Sequence, residues 1–268
     1  MADGALLGVW GADGPVPLTC VDRPGGGVGL RGGKRLASGL GLVTHALVTA
    51  RSGPEGAARM FLVDATDTAR LDPDAWTASA MRPTRSGAID LTGVELSPGA
   101  AVGGPGDLQV EPWFEGGVWR YCAAHVGGAE GLIDDWIAHL RRLGRLDDPL
   151  QRHRLGLALS RLGAARAGVE DAGAAIDACT DGTTPQVGAA VARVLLTREA
   201  VEVACVDILA LAERALGMGA QDGAAPVDRR RRDLSLFLRQ AAPDAKLDRA
   251  VGHVLDRSAA GLSVGEAT

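Results

Sequence analysis

The sequence predicts an α+β protein: an N-terminal antiparallel β-barrel or sandwich followed by a C-terminal up-and-down helical bundle. Two observations carry that expectation. Up to about Pro112 the chain is broken every few residues by Gly, Pro and Asp, with short β-rich or alternating runs between the breaks. Beyond Pro112 the apolar residues recur at three- and four-residue steps, the period of one helix face. Strands first and helices second is an α+β order, not a repeating βαβ order. The expected domains are 1–112 and 113–262, with a small-residue tail at 263–268.

In the first part the runs Leu18–Val21, His45–Ala50, Met60–Val63 and Ile89–Leu96 read as strands. Within the second, Ala46, Val48 and Ala50 fall on one face and His45, Leu47 and Thr49 on the other. Gly25-Gly26-Gly27 and Ser52-Gly53-Pro54 supply turns.

In the second part, Val118, Cys122, Val126, Ala129, Ile133, Trp136 and Leu140 form the stripe of a first helix. Leu155, Leu159, Leu162, Ala165, Val169 and Ile176 mark a second. Val187, Val191, Val194, Val201, Cys205, Ile208 and Leu211 mark a third. Each spans about thirty residues, roughly 45 Å at the α-helical rise. The short joints at Gly144–Pro149 and Thr180–Pro185 favour antiparallel packing. A fourth helix is expected from about Val227 to Gln240, and Pro243-Asp244 opens a fifth.

Composition bounds the function. The 268 residues are 46% hydrophobic and 23% charged, with 38 Gly but only 3% aromatics, so elements must approach closely on small residues. A net charge of −5 gives no general polyanion binder, and no nucleic-acid partner is expected. Cys20, Cys122, Cys179 and Cys205 are scattered without a C-x-x-C pair, which argues against zinc and against a disulfide framework. Met1-Ala2-Asp3-Gly4 precedes a short apolar patch without a basic region, and no apolar run approaches ~18 residues, so no membrane association and a cytoplasmic location are expected.

Most isolated polar features have plain structural readings. The arginines at 229–232 read as a solvated helix face with Asp228 and Asp233 as partners. Trp113, Trp119 and Trp136 read as packing anchors, and His125 as a satisfied, partly buried group. His139, His153 and His253 have no partner spacing for a metal. Asp134-Asp135 and Asp147-Asp148 diverge by about 100° on a helix and cannot converge on one substrate atom, so they read as surface charge or capping.

Several segments resemble one family. Leu30-Arg31-Gly32-Gly33-Lys34-Arg35-Leu36-Ala37-Ser38-Gly39 is similar to the L-x-G-x-K-x-x-x-S-G strand of acyl-CoA dehydrogenases, with the Ala-Leu-Val-Thr-Ala run at 46–50 following it. Met81-Arg82-Pro83-Thr84-Arg85-Ser86-Gly87, leading into Ile89–Val94, resembles the family's G-M-R-x-T-x-S-x-x-V crossing. Ala123–Gly128 keeps its small-residue helix apart from His125. Ala215-Leu216-Gly217-Met218-Gly219 resembles the Gly-x-Gly after the third bundle helix, and Pro226–Leu234 matches P-x-E/D-R-x-x-R-D-L.

The resemblance implies a middle β-domain and a rear bundle that bind FAD, with Ser38 and Gly39 beside the flavin ring and Gly217 and Gly219 approaching a neighbouring subunit's FAD. It equally implies α,β-dehydrogenation of an acyl-CoA or related acyl thioester, a homo- or hetero-oligomer, and an electron-accepting flavoprotein or other acceptor.

Three departures qualify it. The aromatic residue two positions before Ser38 is replaced by Leu36. The chain begins almost at the middle domain, where family members carry a front helical domain, so completion by a partner chain is one expectation. The family's two positions for the catalytic carboxylate fall on Ala241 and near Gly117 and Val118, leaving Glu115 and Asp244 as substitutes and the catalytic residue unknown. Gly217 and Gly219 also suit a helix C-cap. The alternatives are a binding or scaffold subunit that has lost the chemistry, or a truncated product of a longer gene.

Overall fold

The computed structural model describes residues 4–53, 56–179, 184–223 and 225–259. Pro54 of the second expected turn, most of the Thr180–Pro185 joint and the 263–268 tail lie outside them. The chain forms two compact units, Met1–Val110 and Glu111–Thr268.

The first unit contains β1 (Leu7–Trp10), β2 (Thr19–Asp22), β3 (Val28–Arg31), β4 (Gly33–Ala37), β5 (His45–Arg51), β6 (Ala58–Asp64), β7 (Leu71–Asp72), β8 (Gly87–Asp90), β9 (Glu95–Leu96) and β10 (Ala101–Val102). One sheet runs β10-β6-β5-β2-β3-β9, with β1 also on β5; a second runs β4-β8-β7. The pairing is not wholly antiparallel as expected. β1 lies parallel to β5 from Leu7↔His45 to Trp10↔Val48, and β2 meets β5 in parallel at Thr19↔Arg51. The expected run Ile89–Leu96 divides into two strands in different sheets, because the segment turns at Thr92-Gly93, where Asp90 Oδ1 accepts from the Thr92 amide at 2.8 Å.

Alternation places the core correctly. Ala46, Val48 and Ala50 of β5 are buried and join Trp10, Leu30, Phe61, Val63 and Ile89 in one cluster. The Lys34 side chain enters beside these residues and is only 1% exposed. Its Nζ donates to Asp13 Oδ1 at 2.6 Å, Thr49 Oγ1 at 3.0 Å and the Gly11 carbonyl at 3.2 Å. A buried ammonium is tolerated only when all its donors and its charge are met. Here they are met by the loop after β1 and by β5, so the charge ties that loop to both sheets. Burial pushes the Lys34 pKa down, with Asp13 opposing the shift.

The second unit contains α1 (Trp119–Arg142), α2 (Pro149–Ala178), α3 (Thr184–Leu216), α4 (Pro226–Phe237) and α5 (Pro243–Ala259). Helix α3 packs against α1, α2 and α5, and α1 packs against α2 and α4. Every residue of the expected α1 stripe is buried, as are Val191, Val194, Val201, Cys205 and Ile208 of α3. On α2 the stripe is corrected by one position: Leu159 is 51% exposed and Ala158 is buried in its place. Ala158 joins the close-packed cluster of the bundle and Leu159 turns to solvent.

Asp148 caps α2 by accepting from the amides of Leu150 at 2.9 Å and Gln151 at 3.3 Å. Gln151 Nε2 then donates to the Ala215 carbonyl at 3.1 Å, placing the start of α2 beside the end of α3, the antiparallel arrangement the short joints favour. Arg198 of α3, 1% exposed, pairs with Glu202 and donates to the Leu238 carbonyl at 3.0 Å, fastening the end of α4. Trp136 is fully buried as expected, whereas Trp113 is 55% exposed and anchors no core.

Removing the counter-charge of a buried cation costs about 3 kcal/mol. Asp13→Ala is expected to lower stability by about that amount in urea denaturation at pH 7. The folded Lys34 pKa lies below the ordinary 10.5, so Lys34 sheds its proton in the native state first and the penalty shrinks as pH rises toward that value. An unchanged unfolding midpoint at pH 7 would contradict this role.

Candidate functional site

Strand β4 ends in an irregular turn. Its pairing with β8 shifts between Arg35 and Ala37, where Leu36 adopts φ 54 and is 54% exposed. The chain leaves through Ser38, exposed, and Gly39 at φ 78, a backbone region natural to glycine. The Trp10 indole N–H donates to the Ser38 carbonyl at 3.0 Å.

A second segment, well further along the chain, is stitched to this turn. The Gly39 amide donates to the Thr84 carbonyl at 2.8 Å and the Leu40 amide to the Arg85 carbonyl at 2.9 Å. The side chains continue the link. Ser38 and Ser86 share a hydroxyl–hydroxyl bond of 3.0 Å, Ser86 and Thr84 one of 2.8 Å, and Thr84 Oγ1 donates to the Met81 carbonyl at 2.6 Å. The structure thus brings together two segments that the sequence singled out separately.

The second segment is strained. Residues Arg82–Thr84 form a 3-10 turn flanked by Met81 at φ 56 and Arg85 at φ 46, both left-handed. A non-glycine residue there costs about 1–2 kcal/mol, and such strain persists where its surroundings enforce it. Beside the turn lies a cavity of about 470 Å³, walled by Leu40, Leu71, Pro73 and Trp76 with Ser86, Arg82 and Arg85 among its polar groups. Asp72 caps the Pro73–Ala75 turn, and the Trp76 indole donates to the Ala80 carbonyl at 3.1 Å, so this wall is fixed. The volume falls within the range of small-molecule sites. Trp76, Thr84, Arg85 and Ser86 carry no site assignment from sequence; the alternating hydroxyls at 84 and 86 were a visible signal, but their pairing with Ser38 was not.

Gly217 and Gly219 belong to the other unit. Gly217 at φ 57 ends α3 and opens the 3-10 turn Gly217–Gln221, which is the C-cap geometry. A Cβ on Gly219 would lie 3.5 Å from the His139 ring, and Met218 between them is 92% exposed.

The substitute bases are unsuited to the task. Glu115 is 6% exposed and accepts from Arg249 Nε at 2.6 Å and Lys246 Nζ at 3.1 Å. Burial pushes its pKa up, but the bonds from Arg249 and Lys246 overcome this and hold it below the ordinary 4.5. Asp244 is exposed in the first turn of α5.

The remaining features are structural. Asp228 is buried and pairs with Arg231 and Arg232, the internal partner expected of it, while Arg230 pairs with Asp135 of α1 and Arg229 is exposed. All four cysteines are free and buried, and burial pushes Cys122 and Cys205 up to about 12. Among the described residues no group of His, Cys, Asp and Glu could hold a metal ion, and no helix is long and apolar enough to cross a membrane.

His125 corrects the sequence reading. It is 1% exposed, and neither ring nitrogen has a hydrogen-bond partner among the described residues. The ring lies edge-on to Phe237 at 4.5 Å and 5.4 Å from Tyr121. Burial pushes its pKa down to about 4, with the Phe237 backbone pulling weakly the other way.

Residues 120–240 match the family described as Acyl-CoA dehydrogenase, C-terminal domain. Among solved structures the chain is similar to FMN-bound TdsC, a dibenzothiophene monooxygenase from Paenibacillus sp. A11-2, at TM-score 0.79 and 20% identity over 94% of this chain and 70% of that one. It is similar to the methanesulfinate monooxygenase MsuC from Pseudomonas fluorescens at TM-score 0.74 and 17% identity, covering 93% and 69%. It is similar to the HsaA monooxygenase from M. tuberculosis at 0.73 and 20%, covering 97% and 71%. No curated protein matches the sequence significantly. The likeness to these structures shows that the chain carries the acyl-CoA dehydrogenase-like fold, with the family match confined to residues 120–240.

Between pH 6.5 and about 4 the unfolded chain binds a proton at His125 that the native state refuses, so stability falls as pH drops through that window. The loss is roughly 3 kcal/mol at its full extent. His125→Phe is expected to flatten this limb in denaturation measured from pH 7 to pH 4; an unaltered slope would place the acid sensitivity elsewhere.

Proposed function

We propose that this chain is a flavin-dependent oxidoreductase in which Ser38 and Gly39, backed by Ser86 and Thr84, hold the heteroatom-rich edge of the flavin ring. The observation that carries this reading is the Ser38–Ser86 contact, which joins the two segments resembling the family's flavin-side motifs beside one cavity. The donor set fits such a ligand. Hydroxyls both donate and accept, as a ring edge of carbonyls and nitrogens demands, and Leu40, Leu71 and Trp76 offer apolar walls. A bound flavin supplies the two-electron chemistry. The chain's own part is to fix the Ser38 hydroxyl through Ser86, to keep the strand end rigid through the Trp10 bond, and to shield the ring with Leu36 where the family pattern has an aromatic residue.

The reaction class is the finer question. Dehydrogenation of an acyl thioester needs a carboxylate to take the α-proton. Ala241, Gly117 and Val118 offer none, Asp244 is solvated, and Glu115 is held ionised by two cations. We therefore favour oxygenation of a small organic substrate, the kind of activity for which TdsC, MsuC and HsaA are named. The dehydrogenase resemblance suggests FAD, whereas TdsC holds FMN. An electron-transfer partner and a homo- or hetero-oligomer belong to the same proposal.

Titration of FMN and FAD into the purified protein, followed by flavin fluorescence, is expected to show saturable binding of at least one. Ser38→Ala should weaken it about tenfold, the worth of one hydrogen bond to the ligand at ~1.4 kcal/mol. Anaerobic addition of octanoyl-CoA should leave the flavin oxidised. Failure to bind either flavin sinks the reading, and rapid bleaching by the thioester returns the reaction to dehydrogenation.

A further inference from the structure

We infer that the cavity beside Ser86 is selective for anions: it takes a ring-sized apolar body carrying a carboxylate or phosphate, with Arg85 as the recognising cation. Three observations support this. Arg85 holds a left-handed backbone, φ 46 and ψ 46, where glycine would sit without strain, so the position retains a long cationic side chain at a conformational cost. Arg85 is exposed, yet its guanidinium stays against the cavity wall. It folds over Gly41, where an added Cβ would lie 3.7 Å from Nη2, and it lines the cavity together with Arg82. Neither arginine forms an ion pair with a carboxylate among the described residues, although Asp74 also lines the cavity, so the polar rim carries one net positive charge. The pattern G-M-R-x-T-x-S leaves the place of Arg85 open, which makes this a property of the present chain.

The inference stands on the cavity alone; it rests on the flavin reading only for naming the bound molecule a substrate. Two sources could bring the anion, a substrate's own acidic group or the phosphate of a flavin nucleotide. The test uses Arg85→Gly, which removes the cation and relieves the backbone, with Arg85→Lys as the charge-retaining companion. Calorimetry with benzoate, phenyl phosphate and neutral benzamide is run beside fluorescence titration with FMN and riboflavin.

Wild-type protein should prefer benzoate or phenyl phosphate to benzamide by at least tenfold. Arg85→Gly should abolish that preference, and Arg85→Lys should restore part of it. If Arg85→Gly leaves the FMN-to-riboflavin affinity ratio unchanged, the anion belongs to the substrate; if it lowers that ratio about tenfold, the anion is the cofactor's phosphate. Equal binding of benzoate and benzamide by wild-type protein, no binding of any probe, or an intact preference in Arg85→Gly overturns the inference. Riboflavin and FMN binding by the wild type separates that result from a failure of the flavin reading.

Discussion

One buried charge organises the β unit. Lys34 reaches into the core from β4 and is accepted there only because the Asp13 carboxylate, the Gly11 carbonyl and the Thr49 hydroxyl surround it. Those partners come from the loop after β1 and from β5, so the ammonium fixes where β4 runs relative to the larger sheet. Four residues further on, β4 delivers Ser38. The serine's position is therefore set by a charge that must be satisfied, and the Trp10 indole on β1 of the larger sheet holds the Ser38 carbonyl in place.

The site also shows how stability is exchanged for placement. Met81 and Arg85 occupy left-handed backbone on either side of a single 3-10 turn, held by amide bonds from Gly39 and Leu40. The strain is supported by the sheet, and what it gains is a turn that presents hydroxyls toward β4 and guanidiniums toward the cavity. In the bundle the same logic applies to charge. Glu115, placed between Lys246 and Arg249, is locked as an ion and serves packing between the start of α1 and α5, not proton transfer. A carboxylate near the expected base position is thereby disqualified by its neighbours.

Much of the fold was legible in the residues. The change of period near Pro112 marked the passage from strands to helices, and the α1 stripe from Val118 to Leu140 is buried throughout. Asp147-Asp148 read as surface charge or capping, and Asp148 caps α2. The misses have physical causes. Leu159 and Ala158 are adjacent, and hydrophobicity alone prefers the leucine, whereas the bundle buries the alanine. The parallel register of β1 on β5 cannot be seen in either strand, because alternation reports which face is buried and not which neighbour is paired. His125 was read as satisfied, since nothing local shows that both its nitrogens end without partners.

Ser38 and Gly39 were singled out by a motif, while the placing of Ser86, Thr84, Arg85 and Trp76 near them needed the fold. The sequence by itself determined the order of strands and helices, the buried faces and the absence of a carboxylate at Ala241, Gly117 and Val118, because periodicity and residue identity are local properties. Only the tertiary structure decided that Ser38 meets Ser86, that Glu115 is neutralised by two cations more than a hundred residues away, and that Arg85 lies over Gly41. Those facts depend on which segments the backbone pairing brings together, and hydrogen bonds and charges act on distance in space, not on distance along the chain.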